Sequence, residues 1–199
     1  MFTSGYELST AITNVFIFAF SVYGYFKIKD KKLWKFFFLT MIIDSFLGSI
    51  VHGIVMEEFY INIIWVFLAF FFTLTVNTLL CICLDLKYKN IFFLSILLSI
   101  LMFSQMVYGF DYLFTFTMYA LLVLAICTYY ILKSRKDNYI WILIGFVFQV
   151  IGGILLLYKV KTNFMYLNHN GIYHLFMLVT LIFMFIGVNK GFSLEDSYE

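Results

Sequence analysis

Proline is absent from this chain, and charged residues make up only 12% of its 199 residues. Soluble domains carry roughly twice that share of charge, so the composition excludes an ordinary soluble domain. Proline is the residue that most often kinks or breaks a membrane helix, so we expect unbroken helices. The net charge of +2 gives no indication of a nucleic-acid partner.

Cysteine is also scarce, and the three cysteines lie inside apolar stretches. Cys81 and Cys83 are two residues apart, and side chains at that spacing point in different directions on a helix. A disulfide or a metal clamp at this pair is therefore not predicted. Cys81, Cys83 and Cys127 are interpreted as small packing residues.

Hydrophobic residues, by contrast, account for 64% of the chain, and its mean hydropathy is +0.99. Stretches of about 20 apolar residues, long enough to cross a bilayer, recur along it. We predict an all-α, polytopic membrane protein in which residues 1–199 form one seven-helix transmembrane bundle. The predicted segments are Glu7–Phe26, Trp34–Met56, Tyr60–Leu84, Ile91–Tyr108, Tyr112–Leu132, Tyr139–Tyr158 and Gly171–Asn189.

The basic residues are distributed unevenly between the two ends of these segments. Of the 13, eleven lie at one end, which leaves Lys159 and Lys161 at the other. Because basic loops tend to stay in the cytoplasm, we predict an outside N-terminus and a cytoplasmic C-terminus. The first segment has no positive n-region and no cleavage site before it, so it is expected to be a retained helix.

With this orientation, all three histidines of the chain fall at the outer end of the bundle. His52 lies near the end of the second segment, and His169 and His174 lie at the start of the seventh. Imidazole is the commonest protein ligand for zinc, so His52 and His174 with one further ligand could bind a zinc ion that activates water. Glu57 or Glu58, which follow the second segment, would then manage protons. The alternative is structural, with each imidazole hydrogen-bonded to a neighbouring helix or placed in a solvated loop.

Asp44 lies in the middle of the second segment, where a carboxylate is costly and indicates function by default. It precedes His52 by eight residues, or about 12 Å, and so cannot share a metal with it. Gln149 lies at a similar depth on the sixth segment, and a structural hydrogen-bonded pair is favoured over a proton relay. Close helix packing is predicted where small residues recur on the second and sixth segments: Ser45, Ser49, Gly53, Gly145, Gly152 and Gly153.

Two stretches of the chain, Gly48–Gly53 on the second segment and Asn168–His174 at the start of the seventh, resemble a known superfamily. It contains the alkaline ceramidases and the progestin/adiponectin receptors, which are seven-helix membrane proteins, several of them zinc-dependent lipid amidases. Their pattern is Ser-x-x-x-His on the second helix, a following Asp, and His-x-x-x-His on the seventh. The chain looks closest to an uncharacterised bacterial branch of this group.

Carried over residue by residue, the resemblance assigns His52 and His174 to two of the zinc ligands. The chain departs from the pattern at three places, where Gly48 replaces the Ser, Asn62 stands near the Asp, and Asn170 occupies the first position of the His pair. The resemblance therefore implies a metal site that keeps two histidines of the pattern.

The expected third metal ligand is His169. On a regular helix His169 and His174 are about 140° apart, so both can reach one metal only if the helix starts after His169. Asn170 would then be the N-cap of that helix.

The resemblance implies a zinc-dependent hydrolase of the bacterial inner membrane, acting on an amide or ester bond of a lipid-like substrate at the outer leaflet. Glu57 or Glu58 would be its general base. The alternative is a non-enzymatic membrane scaffold or binding protein that has lost the chemistry, and a transporter is a third possibility. Membrane lipids are the expected surroundings, and the oligomeric state is left open.

Overall fold

The computed structural model describes residues 5–84, 112–134, 138–160 and 166–191, together with the isolated positions 93, 97, 100, 101, 104 and 162. Six long helices occupy this part of the chain. Each is long and apolar enough to cross a membrane, so the chain is a multi-pass helical membrane protein. The helices are α1 (Gly5–Lys27), α2 (Lys32–Gly53), α3 (Glu58–Leu84), α4 (Tyr112–Ser134), α5 (Tyr139–Leu157) and α6 (His169–Asn189).

The six helices match the first, second, third, fifth, sixth and seventh predicted segments. The fourth predicted segment, Ile91–Tyr108, lies outside the described residues, apart from positions 93, 97, 100, 101 and 104, whose backbone is helical. The seventh helix and the orientation of the termini therefore stay predictions.

The direction of α3 and α4 follows from two pairs of contacts. The rings of Phe72 and Phe116 lie 4.9 Å apart, and further along both helices the Tyr119 hydroxyl donates to Asn77 Oδ1. The two helices therefore run in the same direction. The end of α3 and the start of α4 lie at opposite ends of the bundle, as the predicted fourth crossing requires.

The six described helices enclose a central space. Each packs against its neighbours in chain order, and α6 packs back against α1. α1 and α6 run in the same direction, because Thr10 bonds to Asn168 near their starts and Phe20 packs on Phe185 further along. The end of the bundle at which α1, α3 and α6 begin and α2 ends is termed the histidine end.

The half of the bundle away from the histidine end is filled by large side chains. Trp34 and Phe38 on α2 are completely buried, and the Phe38 ring packs edge-on against Phe185 of α6. A Cβ at Gly24 would lie 2.6 Å from the Phe38 ring, so α1 needs glycine there to accept this ring. Close packing of this kind, rather than removal of water, holds helices together in a bilayer.

Six hydroxyl groups inside the bundle are satisfied by the backbone of their own helices. The side chains of Thr40, Ser45, Thr73, Thr75, Thr78 and Thr128 each donate to a backbone carbonyl three or four residues earlier. This arrangement leaves no strong demand for partners on other helices. Side chains that bridge helices occur at the histidine end, in the middle of the bundle, where Thr180 donates to the Gly145 carbonyl, and at the opposite end, where Lys31 donates to the Val188 carbonyl.

The predicted close packing of glycines is confirmed at three positions. A Cβ at Gly145 would lie 3.0 Å from the Thr180 carbonyl, and one at Gly152 would lie 2.7 Å from Phe176 Cβ, so α5 and α6 approach closely. A Cβ at Gly53 would lie 3.3 Å from Ala11 Cβ on α1. Small residues therefore set the separation of these helix pairs.

Candidate functional site

A cavity of about 400 Å³ lies inside the helix bundle at its histidine end. This volume falls within the range of small-molecule sites. Polar side chains gather at the histidine end of its lining, and apolar side chains form its deeper walls. The polar members at the histidine end are Glu7, Asn14, His52, Asn170 and His174, the other polar members are Asp44, Ser45, Thr117 and Tyr173, and the deeper apolar walls include Ile17, Met41, Leu68, Phe72, Phe116 and Met177.

His52 is held by a carboxylate from α1. Its Nδ1 lies 2.6 Å from Glu7 Oε2, and the two side chains are 12% and 39% exposed. A carboxylate accepts hydrogen bonds, so the proton of this contact belongs to His52 Nδ1. The ring of Trp65 on α3 packs edge-on against the imidazole, with centroids 5.8 Å apart. Together Glu7 and Trp65 fix the orientation of His52.

His174 is held in the same way by a hydroxyl from α1. The Thr13 hydroxyl donates to the Thr10 carbonyl at 2.8 Å, which uses its one proton. Its oxygen lies 3.2 Å from His174 Nδ1 and therefore accepts a hydrogen bond from that nitrogen. This tautomer leaves a lone pair on His174 Nε2.

The two imidazoles face each other across the cavity. Their ring centroids are 6.3 Å apart and the rings are tilted by 67°. Each ring holds a proton on Nδ1 through an acceptor on α1, Glu7 for His52 and Thr13 for His174. Histidines that bind metals usually have this arrangement, with one nitrogen donating to an acceptor and the other facing the metal.

Asn168 fixes the start of α6 and corrects the predicted N-cap. Its Oδ1 accepts from the Gly171 backbone N–H at 2.9 Å and from the Thr10 hydroxyl at 2.8 Å, and its Nδ2 lies 3.4 Å from Glu7 Oε1. The prediction that Asn170 caps a helix starting after His169 was wrong. The extended backbone of Asn168, with φ −86° and ψ 179°, turns its own side chain onto the helix end.

His169 belongs to α6, so its side chain lies on a different face of that helix from the side chain of His174. His169 is the first residue of α6 and is not part of the cavity lining, whereas His174 is. Five residues along a regular helix rotate the side chain by about 140°, which sends the two rings to different faces. The structure thus brings His52 and His174 together at the cavity and places His169 outside its lining, within electrostatic range of Glu7.

Glu57 and Glu58, the predicted general bases, lie at the beginning of α3. Both side chains are exposed and neither lines the cavity. The carboxylate beside His52 is Glu7, to which no role was assigned from the sequence. A sequence pattern could have identified Glu7. Glu7, Thr10 and Asn14 follow the i, i+3, i+7 spacing, which places them on one polar face of the first helix.

Gly48 makes room for a buried amide. A Cβ there would lie 3.0 Å from Asn14 Nδ2 and 3.1 Å from the other atoms of that amide group. Asn14 is buried and lines the cavity, and its Nδ2 has no hydrogen-bond partner among the described residues. Gly48, where the resembling pattern has Ser, is therefore matched to Asn14 on the neighbouring helix.

The fit to a metal ion rests on the histidine pair. Within the described residues, no three His, Cys, Asp or Glu side chains converge closely enough to enclose a metal. Nitrogen donors suit zinc, and the separation of the two rings is about 1 Å longer than for two imidazoles on one tetrahedral zinc. As placed, the pair therefore offers two nitrogen donors whose rings lie slightly further apart than a shared zinc ion requires.

Asp44 and Gln149 do not form the predicted pair. Gln149 Nε2 instead donates to the Tyr173 hydroxyl at 2.7 Å. Asp44 Oδ1 and Gln149 Oε1 are buried and have no hydrogen-bond partner in the described part of the chain. The depth of both residues was inferred correctly, but Tyr173, one residue before His174, lies nearer to the amide.

The three cysteines lie in the interior of the helix bundle. Cys81, Cys83 and Cys127 are all buried and free, in agreement with the prediction that they pack rather than form a disulfide. Cys127 Sγ lies 3.9 Å from the Leu79 carbonyl.

The model of a family described as a family of unknown function, DUF6962, matches residues 9–192 of the chain. The match covers most of the chain and all of the cavity-lining residues except Glu7, so the protein belongs to this family. No curated protein and no solved structure matches the chain.

Proposed function

We propose that this member of the DUF6962 family is a membrane hydrolase that binds zinc at His52 and His174 and cleaves an amide or ester bond of a lipid-like molecule. The single observation that carries the proposal is the histidine pair, with both Nδ1 atoms held by acceptors on α1. The reaction class comes from the resemblance to the alkaline ceramidase and progestin/adiponectin receptor superfamily. The outer leaflet of a bacterial inner membrane is the proposed location.

The shape and polarity of the cavity support a lipid-like ligand. Polar groups are concentrated at its histidine end, and most of its remaining lining is apolar apart from Asp44 and Tyr173 at the floor. A molecule with a polar head and an apolar chain would satisfy both regions, with the head at the histidine pair. Such a ligand suits a site inside a helical membrane bundle.

Zinc held by the two imidazoles would polarise a carbonyl group and make a bound water acidic near neutral pH. The surrounding residues of the chain have separate roles. Glu7 orients His52 by accepting from its Nδ1, on the side of the ring away from the Nε2 that would hold the zinc. Asn14 Nδ2, a buried donor on the cavity wall, is the proposed hydrogen-bond donor to the carbonyl oxygen.

The experiment is hydrolysis of long-chain fatty amides and esters by the detergent-purified protein, followed by mass spectrometry of the released acid. Glu7→Gln weakens the hold on His52 Nδ1 and is expected to lower the rate by about tenfold to a hundredfold. Glu57→Gln is the matched control, because the same change at an exposed carboxylate outside the cavity should leave the rate unchanged. Equal losses in both variants, or a wild type inactive on every amide and ester tested, would contradict the proposal.

A binding protein without catalysis is the second candidate function. The observation that favours it is the lack of a third convergent metal ligand among the described residues. The cavity would then bind a lipid headgroup through Glu7, His52 and Asn14 without cleaving it. Recovery of an intact lipid from a zinc-free, inactive protein would favour this candidate.

A further inference from the structure

A second, smaller cavity of about 70 Å³ adjoins the large cavity. The two share five lining residues, which are Met41, Asp44, Phe72, Tyr173 and Met177. Gln149, Thr75 and Thr180 also line the small cavity, and its remaining lining residues are apolar. The proposed hydrolytic site leaves this polar group at the floor of the large cavity without a role.

The polar atoms around the shared wall have unused hydrogen-bonding capacity. Asp44 Oδ1 and Gln149 Oε1 are both buried acceptors with no partner within the described ranges. The Tyr173 hydroxyl accepts a hydrogen bond from Gln149 Nε2, so its own proton is available to a further acceptor. Buried polar groups in native proteins are nearly always paired, which makes this combination informative about a ligand.

We propose that Asp44, Gln149 and Tyr173 form a second polar subsite, which binds a hydroxyl group on the otherwise apolar chain of the ligand. The inference rests on the proposed function in that the ligand occupies the large cavity with its head at the histidine pair. Asp44 precedes His52 by eight residues on α2, so the hydroxyl is placed about 12 Å from the head group.

A hydroxyl matches the three side chains because it both donates and accepts. Its proton would be donated to Asp44 Oδ1, and its oxygen would accept from the Tyr173 hydroxyl, which Gln149 holds in place. A ketone or ether oxygen accepts only and would leave Asp44 Oδ1 unpaired. A proton path deeper into the bundle is less well supported, because Val76, Leu79 and other apolar side chains line most of the small cavity.

The test compares two probes, a long-chain fatty amide with one hydroxyl in mid-chain and the same amide without it. Their affinities for the detergent-purified full chain are measured by competition against a fluorescent fatty amide. The wild type is expected to bind the hydroxylated probe about tenfold more tightly, as one hydrogen bond to a buried carboxyl group predicts. Asp44→Leu is expected to reduce that preference to near unity.

Two further variants separate loss of the subsite from loss of structure. Asp44→Asn keeps an acceptor oxygen at the same position and should retain a preference for the hydroxylated probe. Thr78→Val removes a buried hydroxyl of α3 that bonds its own helix and does not line either cavity, so the preference should be unchanged.

The outcomes distinguish failure of the subsite from failure of the proposed lipid ligand. Equal affinity of the wild type for the two probes, or a preference that persists in Asp44→Leu, would overturn the subsite alone. Failure of the wild type to bind either probe would overturn the proposed lipid ligand and the subsite with it.

Discussion

Replacement of Asn168 by alanine tests how the start of α6 is fixed against α1. The substitution removes the acceptor of two hydrogen bonds, one from the Gly171 backbone N–H at 2.9 Å and one from the Thr10 hydroxyl at 2.8 Å. Loss of an N-cap typically costs about 1 kcal/mol, and loss of a buried neutral hydrogen bond costs about the same. We therefore expect Asn168→Ala to lower the free energy of unfolding by about 2 kcal/mol.

The free energy of unfolding is measured by titrating the protein with a denaturing detergent in mixed micelles and following helix loss by circular dichroism. Asn170→Ala is the matched control, because it removes the same amide two residues along, from a half-buried position outside the cap. Its expected effect is below about 0.5 kcal/mol. Equal destabilisation by the two variants would refute the assignment of Asn168 as the residue that docks α6.

Two further predictions concern contacts that side chains of α1 make at the site. Thr13→Val removes the acceptor for His174 Nδ1, so zinc affinity measured by chelator competition should fall by about tenfold to a hundredfold, whereas Thr13→Ser should retain it. Gly48→Ala should destabilise the bundle by about 1–2 kcal/mol, because the new Cβ would lie 3.0 Å from Asn14 Nδ2. In an Asn14→Ala background the same change should cost much less, and equal costs in both backgrounds would contradict the packing described here.

The helices of the described regions could be predicted because long apolar runs determine where a chain crosses a bilayer. α4 and α5 begin at Tyr112 and Tyr139, as the sequence predicted. The ends of other helices depend on local contacts that hydropathy does not contain. α2 ends at Gly53 rather than Met56, where the backbone of Ile54 becomes extended, and α6 begins two residues earlier than predicted because Asn168 caps it.

The sequence predicted how deep the site residues lie in the membrane, but not in which direction each side chain points around its helix axis. Counting residues along each helix placed His52 and His174 at one end of the bundle, and the structure brings their rings together. The same counting could not show that Glu7 faces His52 while Glu57 is exposed. It also placed Gln149 at the depth of Asp44, although the direction of the amide depends on which neighbour α5 packs against.

Zinc content of the detergent-purified protein, measured by elemental mass spectrometry after purification without chelators, tests the central claim most directly. We expect near-stoichiometric zinc in the wild type and its loss in His52→Ala and in His174→Ala. His169→Ala is the matched control and should retain the metal, because His169 does not line the cavity. A wild type without metal, or zinc that persists when His52 and His174 are both replaced, would contradict zinc binding by this histidine pair.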